Sequence, residues 1–164
     1  MDEHLRGRDI HAGEKRGACV GKTKRGKGTK LLVVASSEGL PVGVHLASAT
    51  PHETTMIEAA LDHAVLPSGG THPLVADRAY DSDPLRDRLA VRGLDLVCPH
   101  RQNRTRPKRQ DGRKLRRYRS RWIIERTIAW LQNFRRVVVR WDRRVSIYKA
   151  FVHVACIVIL LKRF

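Results

Sequence analysis

The sequence predicts an α/β domain, a mixed sheet flanked by helices. Three observations predict it. Residues 31–47 carry a β-hairpin pattern. Short apolar segments then alternate with helical ones. Two long helical patterns close the chain. At 164 residues the chain suits one domain with a real core.

Residues 1–30 are polar and basic, and Gly21–Lys30 reads as a flexible loop without Walker spacing. Leu31–Ala35 and Val42–Ala47 form the hairpin around the turn at Glu38-Gly39-Leu40-Pro41. Thr54 to Val65 is helical, with Met56, Ile57, Ala60, Leu61 and Ala64 on one face and Thr54 as cap. Pro73–Asp77 is a strand ending in an acid. Asp83-Pro84 opens a helix with the aspartate as cap, Gly93 ends it, and Leu94–Pro99 is another strand. Residues 100–116 form a basic loop that orders on nucleic acid.

A long helix follows over Arg116–Arg136. Tyr118, Arg121, Trp122, Glu125, Ala129 and Gln132 share one face, and Ile123, Ile124, Thr127, Trp130, Leu131 and Phe134 share the other. Ser146–Leu161 is the last helix, interrupted by His153 and too short an apolar run to span a bilayer. No internal repeat is evident.

The formal net charge is +17, and its distribution is informative. Residues 31–100 hold four basic and nine acidic residues, whereas residues 101–144 hold seventeen and three. A mildly acidic body therefore carries a strongly basic late segment. A purely electrostatic binder needs no acidic body, whereas a phosphate-processing enzyme needs carboxylates to hold cations beside nucleic acid. Cys19, Cys98 and Cys156 form no C-x-x-C pair, which argues against a cysteine-based zinc site and fits a reduced cytosol. The segment Met1-Asp2-Glu3-His4 has no apolar signal region. A cytoplasmic, nucleoid-associated location is expected, with no membrane partner.

Asp77 lies where a strand should stop, and ligands of open α/β sheets gather at the carboxyl ends of strands. A carboxylate there can hold Mg²⁺ together with water and substrate phosphate. Two such ions would activate an attacking oxygen and stabilise a leaving one. The plain structural alternative is a turn aspartate that bonds backbone amides. Asp81 and Asp83 read as turn and cap residues. Glu125 reads either as a solvated helix glutamate paired with Arg121 or Arg126, or as an acid aimed at a cleft; its stacking above Tyr118 and Arg121 favours the cleft. The histidines, His52 among them, read as surface or packing residues. Trp122, Trp130 and Trp141 read as core or edge anchors, with base stacking as the alternative.

These residues resemble bacterial insertion-sequence transposases of the DDE type. The resemblance covers roughly residues 15–164. It rests on Gly21–Lys30, Gly39-Leu40-Pro41, Ser48–Glu53, Asp77–Asp83, Asp111–Tyr118 and Trp130–Arg136. It implies a ribonuclease-H-like fold and an Asp-Asp-Glu triad. It also implies Mg²⁺- or Mn²⁺-dependent cutting and joining of double-stranded DNA at element ends and target, by a homo-oligomer assembled on that DNA. Asp77 matches the second acid and Glu125 the third, while Tyr118 and Arg121 complete the Y-x-x-R-x-x-x-E signature. The pattern's lysine falls on Gln132, so its DNA contact passes to Arg135 or Arg136, with Lys114 and Arg117 as further DNA-binding candidates.

The first acid falls near Gly7, and the nearest acid is Asp9, which takes the catalytic and metal-binding role by proximity. Because His4–Arg8 form no apolar strand, the first strand is expected to be degraded or missing, and Asp9 is expected to superpose poorly on Asp77 and Glu125. The expected organisation is a basic glycine-rich segment at 1–30 and a catalytic domain at 31–164. A truncated copy, or one frame of a split gene with an upstream partner polypeptide, is expected. The competing functions are a non-catalytic DNA-binding remnant and a basic structural protein.

Overall fold

The computed structural model describes residues 3–11, 17–23, 26–110 and 112–163, with backbone alone for 3–11 and 23. The strands are β1 (Glu3–His11), β2 (Gly21–Thr23), β3 (Gly26–Ala35), β4 (Pro41–Ser48), β5 (His72–Ala76) and β6 (Leu94–Val97). The helices are α1 (Ile57–Asp62), α2 (Asp83–Val91), α3 (Trp122–Gln132), α4 (Arg135–Val138) and α5 (Val145–Leu161). The sheet order is β2-β3-β1-β5-β6, with β4 paired to β3. The β1–β3 and β3–β4 pairs are antiparallel, and β1–β5 and β5–β6 are parallel. The sheet is therefore mixed, as expected.

Strand alternation in β3 builds the core. Leu32 and Val34 face α1 and α2, together with Ile57, Leu61, Leu74, Leu85, Leu89 and Leu96. Leu31, Val33 and Ala35 face the other way, toward Ile124, Ile128 and Leu131 of α3 and Tyr148, Val152 and Ile159 of α5. Burial on both faces explains why this strand reads as an unbroken apolar run. Leu32 and Val34 are both 0% exposed, each contributing about 1.5–3 kcal/mol of transfer free energy.

Several expectations need correction. The opening strand is present and central, between β3 and β5. A polar segment can hold a central position because the ladder bonds come from its backbone. The stretch expected to be a basic loop supplies β2 and the start of β3, which pair through Gly21↔Gly28; Lys24 and Arg25 lie outside the described residues. The helix expected from Thr54 is a 3-10 turn (Glu53–Thr55) followed by α1, and the cap is His52, whose side chain accepts from the Thr54 amide. Ser82, not Asp83, stands at the N-cap position of α2. The expected long helix is divided into a 3-10 stretch over Lys114–Arg121, then α3, then α4 after a break at Asn133 and Phe134.

The loop after β6 is fastened to the body. Arg104 pairs with Asp83 at 2.9 Å and with Asp81 at 3.5 Å. The Gln110 side-chain amide donates to the Cys98 carbonyl. Arg140, 1% exposed, closes the far end, donating to the carbonyls of Ala18, Asp142 and Arg143 and to the Thr29 hydroxyl.

Candidate active site

Asp77 follows the last residue of β5. Its Oδ1 accepts the Ala79 amide at 2.7 Å, capping a 3-10 turn over Arg78–Tyr80. Tyr80, 0% exposed, anchors that turn in the core. The carboxylate is thus set by a local turn, at the strand end where the α/β architecture collects ligands. The turn-capping alternative is therefore realised in this residue.

Two further groups surround the turn. Arg101 donates from Nη2 to the Ala79 carbonyl at 2.8 Å. His52 lies within the field of Asp77, Arg101 and Lys30. Burial holds its imidazole below the usual histidine range, Arg101 and Lys30 push the same way, and Asp77 opposes them. Lys30 is itself fixed by the Pro51 carbonyl at 2.9 Å and by Glu53 at 3.9 Å.

Asp81 is a hub rather than an ordinary turn residue. Its side chain is 1% exposed and accepts Arg86 at 3.2 Å, His100 at 3.0 Å and the Arg101 amide at 2.9 Å. Burial pushes its carboxyl up, but the Arg101 amide, His100 and Arg86 outweigh that and hold it below the usual carboxylate range.

The 3-10 stretch packs against β5 and β6 and hands over to α3. Arg121 donates to the Tyr118 hydroxyl at 2.8 Å and pairs with Glu125 at 3.1 Å. The Thr127 hydroxyl donates to the Gly39 carbonyl and Arg126 to the Glu38 carbonyl, so the β3–β4 turn fixes the rotation of α3. Arg126 also lies between the rings of Trp122 and Trp130, at 4.7 and 4.8 Å. Trp122 is 54% exposed.

The expected residues fall into groups. Tyr118, Arg121 and Glu125 are joined in one chain of contacts. Asp77 has its own setting with His52 and Arg101. Lys114 pairs with Asp95 at 2.8 Å, and Arg117 is exposed on the same 3-10 stretch. Arg135 is exposed on α4, where Arg136 pairs with Asp142 at 3.8 Å and covers the Phe151 ring. The backbone of Asp9 pairs with Leu31, beyond a bulge in β1 between Arg6 and Asp9; its side chain lies outside the described residues. Leu5 is level with Ala76, so the next step sets Arg6 level with Asp77. Asp9 is three residues further along, but the bulge takes up one of them, so the advance is two ladder steps, roughly 7 Å.

The donor set suits a hard divalent cation in part. Asp77 and Glu125 supply carboxylate oxygens of the type that Mg²⁺ takes. Among the described residues, no cluster of three or more His, Cys, Asp or Glu side chains is positioned to hold a metal ion. Sequence reasoning missed His52 and Arg101. The signal for His52 was its place in Pro51-His52-Glu53; Arg101 reaches the turn only through the fold.

Comparisons with known proteins agree on a family. A family model described as a transposase DDE domain matches residues 3–160. A putative transposase for insertion sequence element IS402 from Burkholderia cepacia is 35% identical over 140 residues, covering 80% of this chain and 62% of that protein. A putative transposase for IS6501 from Brucella ovis is 31% identical over 134 residues, covering 82% of this chain and 98% of that protein. A piggyBac transposase, solved by cryo-EM as a synaptic complex with hairpin DNA, superposes with a TM-score of 0.57 at 12% identity, covering 95% of this chain and 45% of that one. At that identity the likeness shows the fold, a ribonuclease-H-like mixed sheet with helices on both faces. The chain spans less than two thirds of the first relative and under half of the solved protein.

Proposed function

Because the chain belongs to the DDE-domain transposase family, we propose that it cuts and joins DNA phosphodiesters at the ends of an insertion sequence. The observation that carries this reading is Asp77, held by the Ala79 amide at the carboxyl end of β5 and flanked by His52 and Arg101. In this reading the catalytic core includes β1 and β2 as well as residues 31–164, since β1 is a central strand of the same sheet.

Asp77 and Glu125 would hold Mg²⁺ or Mn²⁺, which supplies activation of the attacking oxygen and charge neutralisation at the phosphate. The rest falls to the chain's own groups. The turn fixes Asp77 in one orientation. Arg121 orients Glu125 from one side and Tyr118 holds Arg121 from the other. Lys114, Arg117, Arg135 and Arg136 bind DNA phosphates on the basic face, and Arg121 adds its remaining N–H groups while it holds Glu125. The DNA partners are element ends and target, bridged by more than one copy of the chain. The protein acts on the nucleoid. Among the described residues no helix is long and apolar enough to cross a membrane.

The test is strand cleavage and joining of end-containing DNA with Mg²⁺ or Mn²⁺, comparing wild type with Asp77→Ala and Glu125→Ala. Loss of activity by orders of magnitude in both variants is expected. Equal activity in all three would overturn the assignment. A second reading, a DNA-binding remnant without catalysis, is supported by Gly7 and Asp9: the resemblance expects an acid where Gly7 stands, and Asp9 lies past a bulge, two ladder steps beyond Arg6. Salt-sensitive DNA binding with no metal-dependent cleavage favours that reading.

A further inference from the structure

The outer face of α5 is apolar, like the face it buries. Tyr148, Val152, Ala155 and Ile159 pack inward with β3 and β4. Ile147, Val154, Ile157 and Leu161 stay 43%, 55%, 53% and 68% exposed. They are half of the eight large apolar side chains that stand exposed among the described residues. Ala150 is exposed between them. Val145–Leu161 contains one lysine, one histidine and no acid, in a chain of net charge +17. A helix that covers one core carries polar residues outside, whereas a helix apolar on all sides is covered on all sides. We propose that this outer face pairs with α5 of a second copy of the chain, antiparallel, as a two-fold dimer. The inference deepens the DNA-processing reading and rests on it for why two copies meet on DNA.

Spacing identifies the covering element as a helix. Ile147, Ala150, Val154, Ile157 and Leu161 follow one another at three, four, three and four positions. That rhythm is the a/d seam of a coiled coil, narrower than the stripe by which a helix lies on a sheet. The seam positions carry no charge, so two basic chains can approach there without setting like charges face to face.

Side-chain size identifies that helix as α5 itself. A two-fold contact uses the same patch twice, so the patch must complement itself. With the axis between Ala155 and Cys156, Ala150 lies opposite Leu161 of the second copy, and Val154 lies opposite Ile157. Small meets large at the ends, and two branched side chains of similar size meet at the centre. A parallel pair would instead set Ala150 against Ala150 and leave a void. The seam is 17 residues long, about 25 Å. It therefore buries less than a standard interface of about 1,600 Å², and the pair is weak in free solution.

Sedimentation of the full chain, without DNA or metal, reads the pairing. Wild type is expected to be monomeric at about 1 μM and mostly dimeric at about 100 μM, the weak range of a small interface. Added salt should tighten the pair, because screening relieves repulsion between two chains of +17 and the seam has no ion pair to lose. Val154→Glu and Ile157→Lys should each weaken association at least about tenfold, since each puts an unpaired charge into the seam. Both positions are exposed in the single chain, so the melting temperature should hold. Val91→Glu, at a 91% exposed position on α2, should leave association unchanged. In a Cys19→Ser background, oxidation should join Ala150→Cys copies to Leu161→Cys copies and neither kind to itself. A wild type still monomeric at about 100 μM would overturn the pairing. So would a dimer that both charge variants leave intact, or Ala150→Cys copies that join to each other. A dimer that neither binds nor cleaves end-containing DNA would keep the pairing and overturn the DNA-processing reading. Cleavage by a chain that stays monomeric would do the reverse.

Discussion

Arg121 and Glu125 form an i,i+4 ion pair at 3.1 Å, and the same guanidinium takes the Tyr118 hydroxyl at 2.8 Å. Both side chains of the pair are more than a third exposed. The pair therefore adds only about 0.3–0.5 kcal/mol to stability. Its larger effect is to hold Glu125 in one rotamer. Arg121→Ala should leave the melting temperature within about 2 °C of wild type. The same change should lower strand cleavage at least about tenfold, because it removes the Arg121 contact that helps to orient Glu125. A fall in melting temperature that accounts for the whole drop in activity would assign Arg121 a purely structural role.

Asp81 should be far more sensitive. Its removal takes the buried carboxylate from His100 and from Arg86, which keeps only neutral acceptors, the Leu96 and Cys98 carbonyls among them, and releases the Arg101 amide. Asp81→Ala is expected to cost about 3–5 kcal/mol, measured by urea unfolding. The carboxyl is held below its usual range in the folded state, so its contribution is present above the unfolded value near 3.9. That contribution is lost as pH falls through the lower folded value. Wild type should therefore lose stability in acid below about pH 4 more steeply than Asp81→Asn.

A second pH effect has a higher window. His45 and His153 are both held below the usual histidine range, first by burial; His63 and then Lys149 add to it at His45, and Lys149 and then His63 at His153. The rings of His45 and His63 meet edge-on at 5.9 Å, in a region also lined by Asp62 and Cys156. An unfolded chain takes up protons at these positions from about pH 6.5 downward, before the folded chain does. Stability should therefore decline as pH falls from about 7 toward the lowered folded values, and His45→Gln should flatten the slope. An unchanged slope in that variant would assign the effect elsewhere.

The cysteines should separate cleanly by reactivity. Burial pushes the Cys98 thiol up to about 12 and the Cys156 thiol up to about 11. Neither forms appreciable thiolate at neutral pH, and both are shielded. Alkylation of the native chain, followed by mass spectrometry, should label Cys19 first. Labelling of Cys98 before Cys19 would contradict the packing around Arg86.

The hairpin, the acid after β5 and the closing helix were legible because each has a local cause: alternation, a strand followed by a turn, or helical period. Asp77 and Glu125 stand out as candidates through motif spacing. The opening strand was not, because His4–Arg8 carry no apolar pattern and owe their place to the backbones of β3 and β5. Asp81 read as a turn residue because its partners are five to twenty-three positions away in sequence. The 3-10 stretch was hidden for a different reason: Lys114–Arg121 has a helical composition, and its tighter winding accompanies packing on β5 and β6.

Arg140 has a consequence for how the chain is made. Its bonds to Ala18 and Thr29 join residues 122 and 111 positions apart. A ribosome adding about 5–20 residues per second exposes the early partners several seconds before Arg140 leaves the exit tunnel. Until then the Ala18 carbonyl and the Thr29 hydroxyl lack this donor, and the glycine-rich N-terminal segment cannot lock. The nascent protein should therefore stay protease-sensitive near Gly17–Cys19 until synthesis is almost complete. Its early segments are then secured by one of its late ones.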